Sequence, residues 1–139
     1  MARLTHLALH VPNLEVCLEF YQRFTGMQVV HQRGGTAAHP KRIVWMSERG
    51  RESDFVFVFM EGGVRVPLEA GDYRHFGFAL KSKIEVDAIE QMAADSGCLL
   101  WPARQEPFPV GYYCGVQDPA GNQVEFSYGQ PLGPGSPSW

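Results

Sequence analysis

The stretch Thr5-His6-Leu7-Ala8-Leu9-His10-Val11 decides the fold, because it returns as Arg74-His75-Phe76-Gly77-Phe78-Ala79-Leu80. Each copy has the short alternating pattern of a half-buried strand. Each is followed by an amphipathic helical pattern that stops at a glycine. In the first copy Leu4, His6, Ala8 and His10 share one face, and Thr5, Leu7, Leu9 and Val11 share the other. The second set is the better core face and is predicted to meet a helix. The histidine stands at the same point in both copies, on the open face. Two such equivalent histidines point to two metal ligands brought together by a pseudo-two-fold.

Working outward, Asn13 reads as a helix N-cap, Leu14, Cys17, Leu18 and Tyr21 follow at helical spacing, and Gly26 is the stop. Strands are predicted over Met27 to His31, Arg42 to Ser47 and Asp54 to Met60, with Gly34-Gly35 and His39-Pro40 marking a loop. The second half repeats this order. His75 to Leu80 is a strand, Ser82-Lys83-Ile84-Glu85 has the form of a capping box, and Val86, Ile89, Met92 and Ala93 make a helical stripe that Gly97 ends. Leu99 to Trp101 reads as a strand and Arg104 to Pro109 as a proline-broken loop. Gly111 to Val116 and Asn122 to Ser127 form a hairpin around Asp118-Pro119-Ala120-Gly121. The expected fold is therefore α+β, a single domain over 1–128 with βαβββ modules at 1–64 and 70–128. Residues 129–139, rich in Gly, Pro and Ser, are expected to be a flexible tail.

Composition excludes several classes of function. The 139 residues are 45% hydrophobic and 19% charged, which suits an ordinary core-forming domain rather than a disordered or coiled-coil chain. A net charge of -3 leaves no basic footprint, so nucleic acid is not expected as a partner. No apolar run is long enough for a membrane span. Met1-Ala2-Arg3-Leu4 leads directly into a strand pattern, so no signal peptide is expected. The three cysteines, Cys17, Cys98 and Cys114, are odd in number and widely spaced, which matches a reducing interior. A cytoplasmic location is expected.

From about Leu4 to Tyr128 the chain resembles the vicinal oxygen chelate superfamily, also called the glyoxalase, bleomycin-resistance and extradiol dioxygenase superfamily. The residues that carry the likeness are Thr5-His6, Phe20-Tyr21 with Gly26-Met27, His75, and Asp118-Pro119-Ala120-Gly121-Asn122-Gln123-Val124-Glu125. Taken in order they are specific for the superfamily and not for one activity. The resemblance implies mixed, curved sheets forming a cup. It also implies a homodimer, because members with two modules per chain commonly pair module one of one chain with module two of the other. Each half alone would leave a strand edge exposed. Linker reach between Glu61 and Tyr73 suits a shared or an intramolecular site equally.

The repeat locates a site by counting. His75 to Glu125 spans 50 residues, and 51 residues from His6 lead to Phe57. Four equivalent positions then carry His6, Phe57, His75 and Glu125. Two imidazoles and a carboxylate make a facial triad with open positions for a chelating substrate, suited to Fe2+, Mn2+, Zn2+, Ni2+ or Co2+. Glyoxalase I enzymes carry a glutamate ligand at the position of Phe57, so phenylalanine there argues against that activity. Glu61, further along the same strand, reads as a strand-end residue rather than a substitute ligand.

Other residues have both a functional and an ordinary reading. Extradiol dioxygenases have a tyrosine where Gly115 stands, and Tyr113, two residues earlier on the same face, is a candidate catalytic hydroxyl or simply a lining residue. His10 shares the face of His6 and is a candidate base or orienter, or a water-exposed sheet-edge residue. Arg104 is a candidate substrate-carboxylate binder or an exposed loop arginine. Phe57, Phe59 and Tyr113 would line an aromatic pocket, or belong to the core. Fosfomycin-resistance enzymes share the triad, but their threonine two residues after the first histidine is Ala8 here. The leading expectation is a metal-dependent enzyme acting on a small aromatic or apolar substrate with vicinal oxygens, dioxygenase-like chemistry first. A non-redox lyase or isomerase, and a metal-free ligand-sequestering protein, are the alternatives.

Overall fold

The computed structural model describes residues 1–133, and the chain divides into two compact units, Met1–Pro67 and Leu68–Trp139. The expected flexible tail lies, from residue 134 on, outside the described residues. Both units are βαβββ, with strands and helices in the order the repeat predicts.

In the first unit β1 (His6–Val11) leads to α1 (Leu14–Thr25), followed by β2 (Gln28–Arg33), β3 (Ile43–Ser47) and β4 (Val56–Glu61). The sheet order is β1-β4-β3-β2, with β1 parallel to β4 and the remaining pairs antiparallel. Asn13 caps α1 by accepting from the Val16 amide, and Gly26 closes it in the left-handed conformation at φ 73. Leu14, Cys17, Phe20, Tyr21 and Phe24 are the buried face of the helix. Tyr21 meets the rings of Phe57 and Phe59 at 5.9 and 5.0 Å between centroids.

The second unit runs β5 (His75–Ala79), α2 (Lys83–Asp95), β6 (Leu99–Glu106), β7 (Gly111–Gln117) and β8 (Gln123–Tyr128). Its order, β5-β8-β7-β6, repeats that of the first unit, again with a parallel outer pair. Ser82 accepts from the Glu85 amide as half of the expected capping box; the Glu85 carboxylate takes the Lys81 amide at 2.6 Å instead of that of Ser82. Val86, Ile89 and Ala93 press on a face built from Phe78, Cys114, Val116, Val124 and Phe126, and Phe78 and Phe126 stack at 5.7 Å. Burial pushes the Cys114 thiol up to about 12, so it behaves as a small apolar core group.

One expectation is corrected. Arg104 to Glu106 are strand, not loop, and only the residues from Pro107 on turn the chain. β6 is the outer strand of its sheet, so the missing N–H of Pro102 costs no ladder bond. The register steps over Pro102, from Trp101↔Gly115 to Arg104↔Tyr113, and the Ala103 amide donates to Glu90 of α2 at 3.0 Å.

The turn between β7 and β8 sets where Glu125 falls. Asp118, 1% exposed, accepts from the amides of Ala120 at 2.9 Å and Asn122 at 2.8 Å, and from the Asn122 side chain at 3.0 Å. Asp118→Ala strands these donors and is expected to cost about 2 to 4 kcal/mol, read as a lower urea midpoint at unchanged slope. An unchanged midpoint would mean that the turn holds without its carboxylate.

Candidate functional site

Side chains alternate across each sheet, and this assigns the two faces. In the second unit the helix-side face carries Phe78, Val124 and Phe126. The opposite face carries His75, Gly77, Gln123, Glu125, Ser127, Tyr113, Gly115 and, across β6, Trp101 and Arg104.

The pair at its centre is His75 and Glu125, with Nε2 and Oε2 3.8 Å apart. His75 Nδ1 lies 2.6 Å from the Tyr73 carbonyl oxygen, which only accepts, so Nδ1 carries the proton. In the neutral ring Nε2 then offers a lone pair toward Glu125. A ring whose other nitrogen donates to a carbonyl has the arrangement of a metal-ligating histidine. Glu125 is 7% exposed, and its side chain accepts no hydrogen bond among the described residues. Burial pushes its carboxyl above the usual carboxylate range, a shift that the neighbouring His75 opposes when its ring is protonated. A buried carboxylate without a donor is an incomplete site, and a cation would complete it.

Gly77 stands between the two partners in register, and a Cβ there would approach Glu125 Oε2 to 3.2 Å. Gly115, in the same row on β7, is covered by Trp101. A Cβ at residue 115 would lie 2.0 Å from Trp101 Cε3. The indole thus crosses β7 and meets the His75 ring edge-to-face at 5.7 Å. An apolar wall beside the carboxylate therefore occupies the place where a side chain of residue 115 would stand. Tyr113, further along β7, accepts from Arg104 Nε at 2.8 Å, and the guanidinium also lies over the phenol ring. Glu106 is 3.3 Å from the same Nε. Tyr113 and Arg104 are thus brought together on the His75 face. Arg104 lies on a strand rather than in the expected loop.

In the first unit His6 is exposed at the start of β1, its Nδ1 3.0 Å from the Thr5 hydroxyl. His10 is exposed on the same face. The ladders correct the counting argument by one residue. His6 pairs with Val56 as His75 pairs with Gln123, so Val58, not Phe57, is the counterpart of Glu125. Phe57 and Phe59 lie on the helix side against Tyr21, and belong to the core rather than to the open face. Glu61 accepts from the Arg42 amide at 2.9 Å and lies 3.6 Å from its guanidinium, which also meets Glu15 of α1 at 2.6 Å. It is a structural partner at the strand end. Sequence reading missed Trp101 and Gln123. A glycine inside a strand, opposite a tryptophan on the neighbouring strand, was the available signal.

The sequence profile of the Glyoxalase/Bleomycin resistance protein/Dioxygenase superfamily matches residues 3–126. The chain belongs to this superfamily. It is 59% identical over 133 residues to the uncharacterized protein PA2024 of Pseudomonas aeruginosa, covering 96% of this chain and 93% of that one. Its fold is similar to that of a fosfomycin resistance protein, FosX, from Listeria monocytogenes, in a form complexed with Mn(II) and 1S,2S-dihydroxypropylphosphonic acid. That match has a TM-score of 0.72 and 22% identity over 95% of each chain. The trypanothione-dependent glyoxalase I of Leishmania major matches with TM-score 0.65 and 18% identity, over 93% of this chain and 88% of that one. At these identities the two structures show a shared fold. No helix among the described residues is long and apolar enough to cross a membrane.

The raised Glu125 carboxyl has a consequence for stability. A folded-state value above the unfolded one means that the metal-free protein loses stability as pH rises out of the carboxylate range. Glu125→Gln removes that loss. The metal-free variant is expected to melt above wild type near neutral pH, and the gain should shrink under mildly acidic conditions. Equal melting temperatures at both would show that the carboxylate carries no burial cost.

Proposed function

We propose that the chain is a metal-dependent enzyme whose small substrate chelates a divalent ion through two neighbouring oxygens, held by His6, His75 and Glu125. The observation that carries this reading is the buried Glu125 carboxylate, which accepts no hydrogen bond among the described residues and lies 3.8 Å from Nε2 of His75, whose Nδ1 faces the Tyr73 carbonyl. Two imidazoles and one carboxylate suit Fe2+, Mn2+, Zn2+, Ni2+ or Co2+ and leave positions open. Bound there, the ion would act as a Lewis acid on the chelated oxygens.

The chain's own groups would do the rest. Trp101 offers a flat apolar wall beside the ligand pair, favouring a planar, aromatic substrate body. Arg104 offers charge to a substrate carboxylate, and it holds the Tyr113 hydroxyl in place for proton transfer. His10 is the further candidate for a base, on the side of His6. Ring-cleaving dioxygenation of an aromatic diol is the first reading on this wall and hydroxyl. Lyase or isomerase chemistry is the second, because Trp101 over Gly115 leaves no room for the tyrosine of extradiol dioxygenases. Oxygen uptake by anaerobically iron-loaded protein, against oxygen-free turnover with Mn or Zn, separates the two.

His75→Ala and Glu125→Gln are expected to lose stoichiometric divalent metal with the fold intact, measured by elemental analysis beside circular dichroism. Wild-type metal content in either folded variant would sink the ligand set. Neither Phe57 nor Val58 supplies a carboxylate, so glutathione-dependent conversion of methylglyoxal should stay at background, and glyoxalase-like turnover would overturn that argument.

We further propose a homodimer in which His6 of one subunit serves a site with His75 and Glu125 of its partner. Mixed His6→Ala and Glu125→Ala subunits should then regain about one intact site per heterodimer. Exchanged subunits that recover no metal would refute the shared arrangement.

A further inference from the structure

We infer that Gln123 is a positioning residue that fixes the tautomer and place of the His75 ring through the segment Asp72–Arg74. Gln123 is 7% exposed and pairs directly with His75 in the parallel ladder of β5 and β8. Its side-chain amide donates to the Asp72 carbonyl at 2.7 Å and to the Arg74 carbonyl at 2.9 Å. Between these two lies Tyr73, whose carbonyl receives the His75 Nδ1 proton at 2.6 Å. One amide group thus holds the peptide planes on either side of the one that faces the imidazole.

Residues 72–74 precede β5 and belong to no strand. Apart from Gln123 they are tied by the Asp72 amide, which donates to the Glu69 carbonyl at 3.1 Å, and by the exposed Asp72–Arg74 contacts, in which the Arg74 amide and guanidinium both reach the Asp72 carboxylate. A loosened segment would let the Tyr73 carbonyl swing off Nδ1. The proton would then shift to Nε2, where it would point at the position facing Glu125. His6 provides the contrast. Its Nδ1 partner is the Thr5 hydroxyl, which donates or accepts equally well and selects no tautomer. The relay is therefore particular to the second unit, and one strand delivers both the Glu125 carboxylate and the brace for its histidine partner.

The effect on metal affinity rests on the proposed ligand set, whereas the effect on the tautomer does not. In metal-free, nitrogen-15-labelled protein, two-bond proton–nitrogen correlation spectra should show His75 protonated at Nδ1 alone. Gln123→Met, of equal length but without donors, should give a mixture of tautomers and weaken Mn(II) binding roughly 10- to 100-fold. Gln123→Lys restores a donor and should return the wild-type ring pattern. A wild-type ring protonated at Nε2, or a folded Gln123→Met that keeps both tautomer and affinity, overturns the inference. If Gln123→Met does not fold, the wild-type spectrum and the lysine variant decide. Wild-type protein that binds none of Fe(II), Mn(II), Zn(II), Ni(II) and Co(II), while the ring still answers to Gln123, would refute the ligand set and leave the relay standing.

Discussion

The parallel pairing of β5 with β8 is the constraint on which the candidate site depends. Partners in a ladder share a face, so one choice of register puts His75, Gly77, Gln123 and Glu125 together on the face away from α2. A slip of one residue would turn Glu125 into the core and expose Val124 or Phe126. What forbids the slip is the other face of the same strands. Val124 and Phe126 are fully buried beneath α2, and exposing either would forfeit about 2 to 3 kcal/mol. The polar arrangement is held by the apolar one behind it, and Asp118 fixes the point at which β8 begins.

The site is assembled at some cost to its own unit. Glu125 is buried without a donor among the described residues, and Gly77 and Gly115 forgo side chains where Glu125 and Trp101 approach. Such local losses are characteristic of positions kept for chemistry rather than for folding. The first unit shows the alternative. At the matching positions it carries Ala8, Val58 and Trp45, and a hydrophobic residue replaces the carboxylate.

Much of this was legible in the sequence because it is written locally. The repeat, the Asn13 and Ser82 caps, the Gly26 stop and the Asp118 turn each depend on a few neighbouring residues. What escaped depends on partners distant in the chain. Counting from His6 reached Phe57 instead of Val58 because the chain between β1 and β4 is two residues longer than that between β5 and β8, and only the ladders reveal it. Trp101 acts through a strand it crosses, and Gln123 through a segment it reaches from another strand. Prolines on both sides of Arg104 predict a loop because they usually break strands, whereas an outer strand tolerates one.

That tolerance has a further effect. β6 is one of the two outer strands of its sheet, the kind of edge onto which another extended chain can add and begin aggregation. Pro102 removes a donor from this edge, and the register steps on both sides of Trp101 break its regular spacing. An incoming strand would find no continuous row of donors and acceptors to match. The irregularity beside Trp101 and Arg104 thus also makes the exposed margin of the sheet a poor template for copying itself.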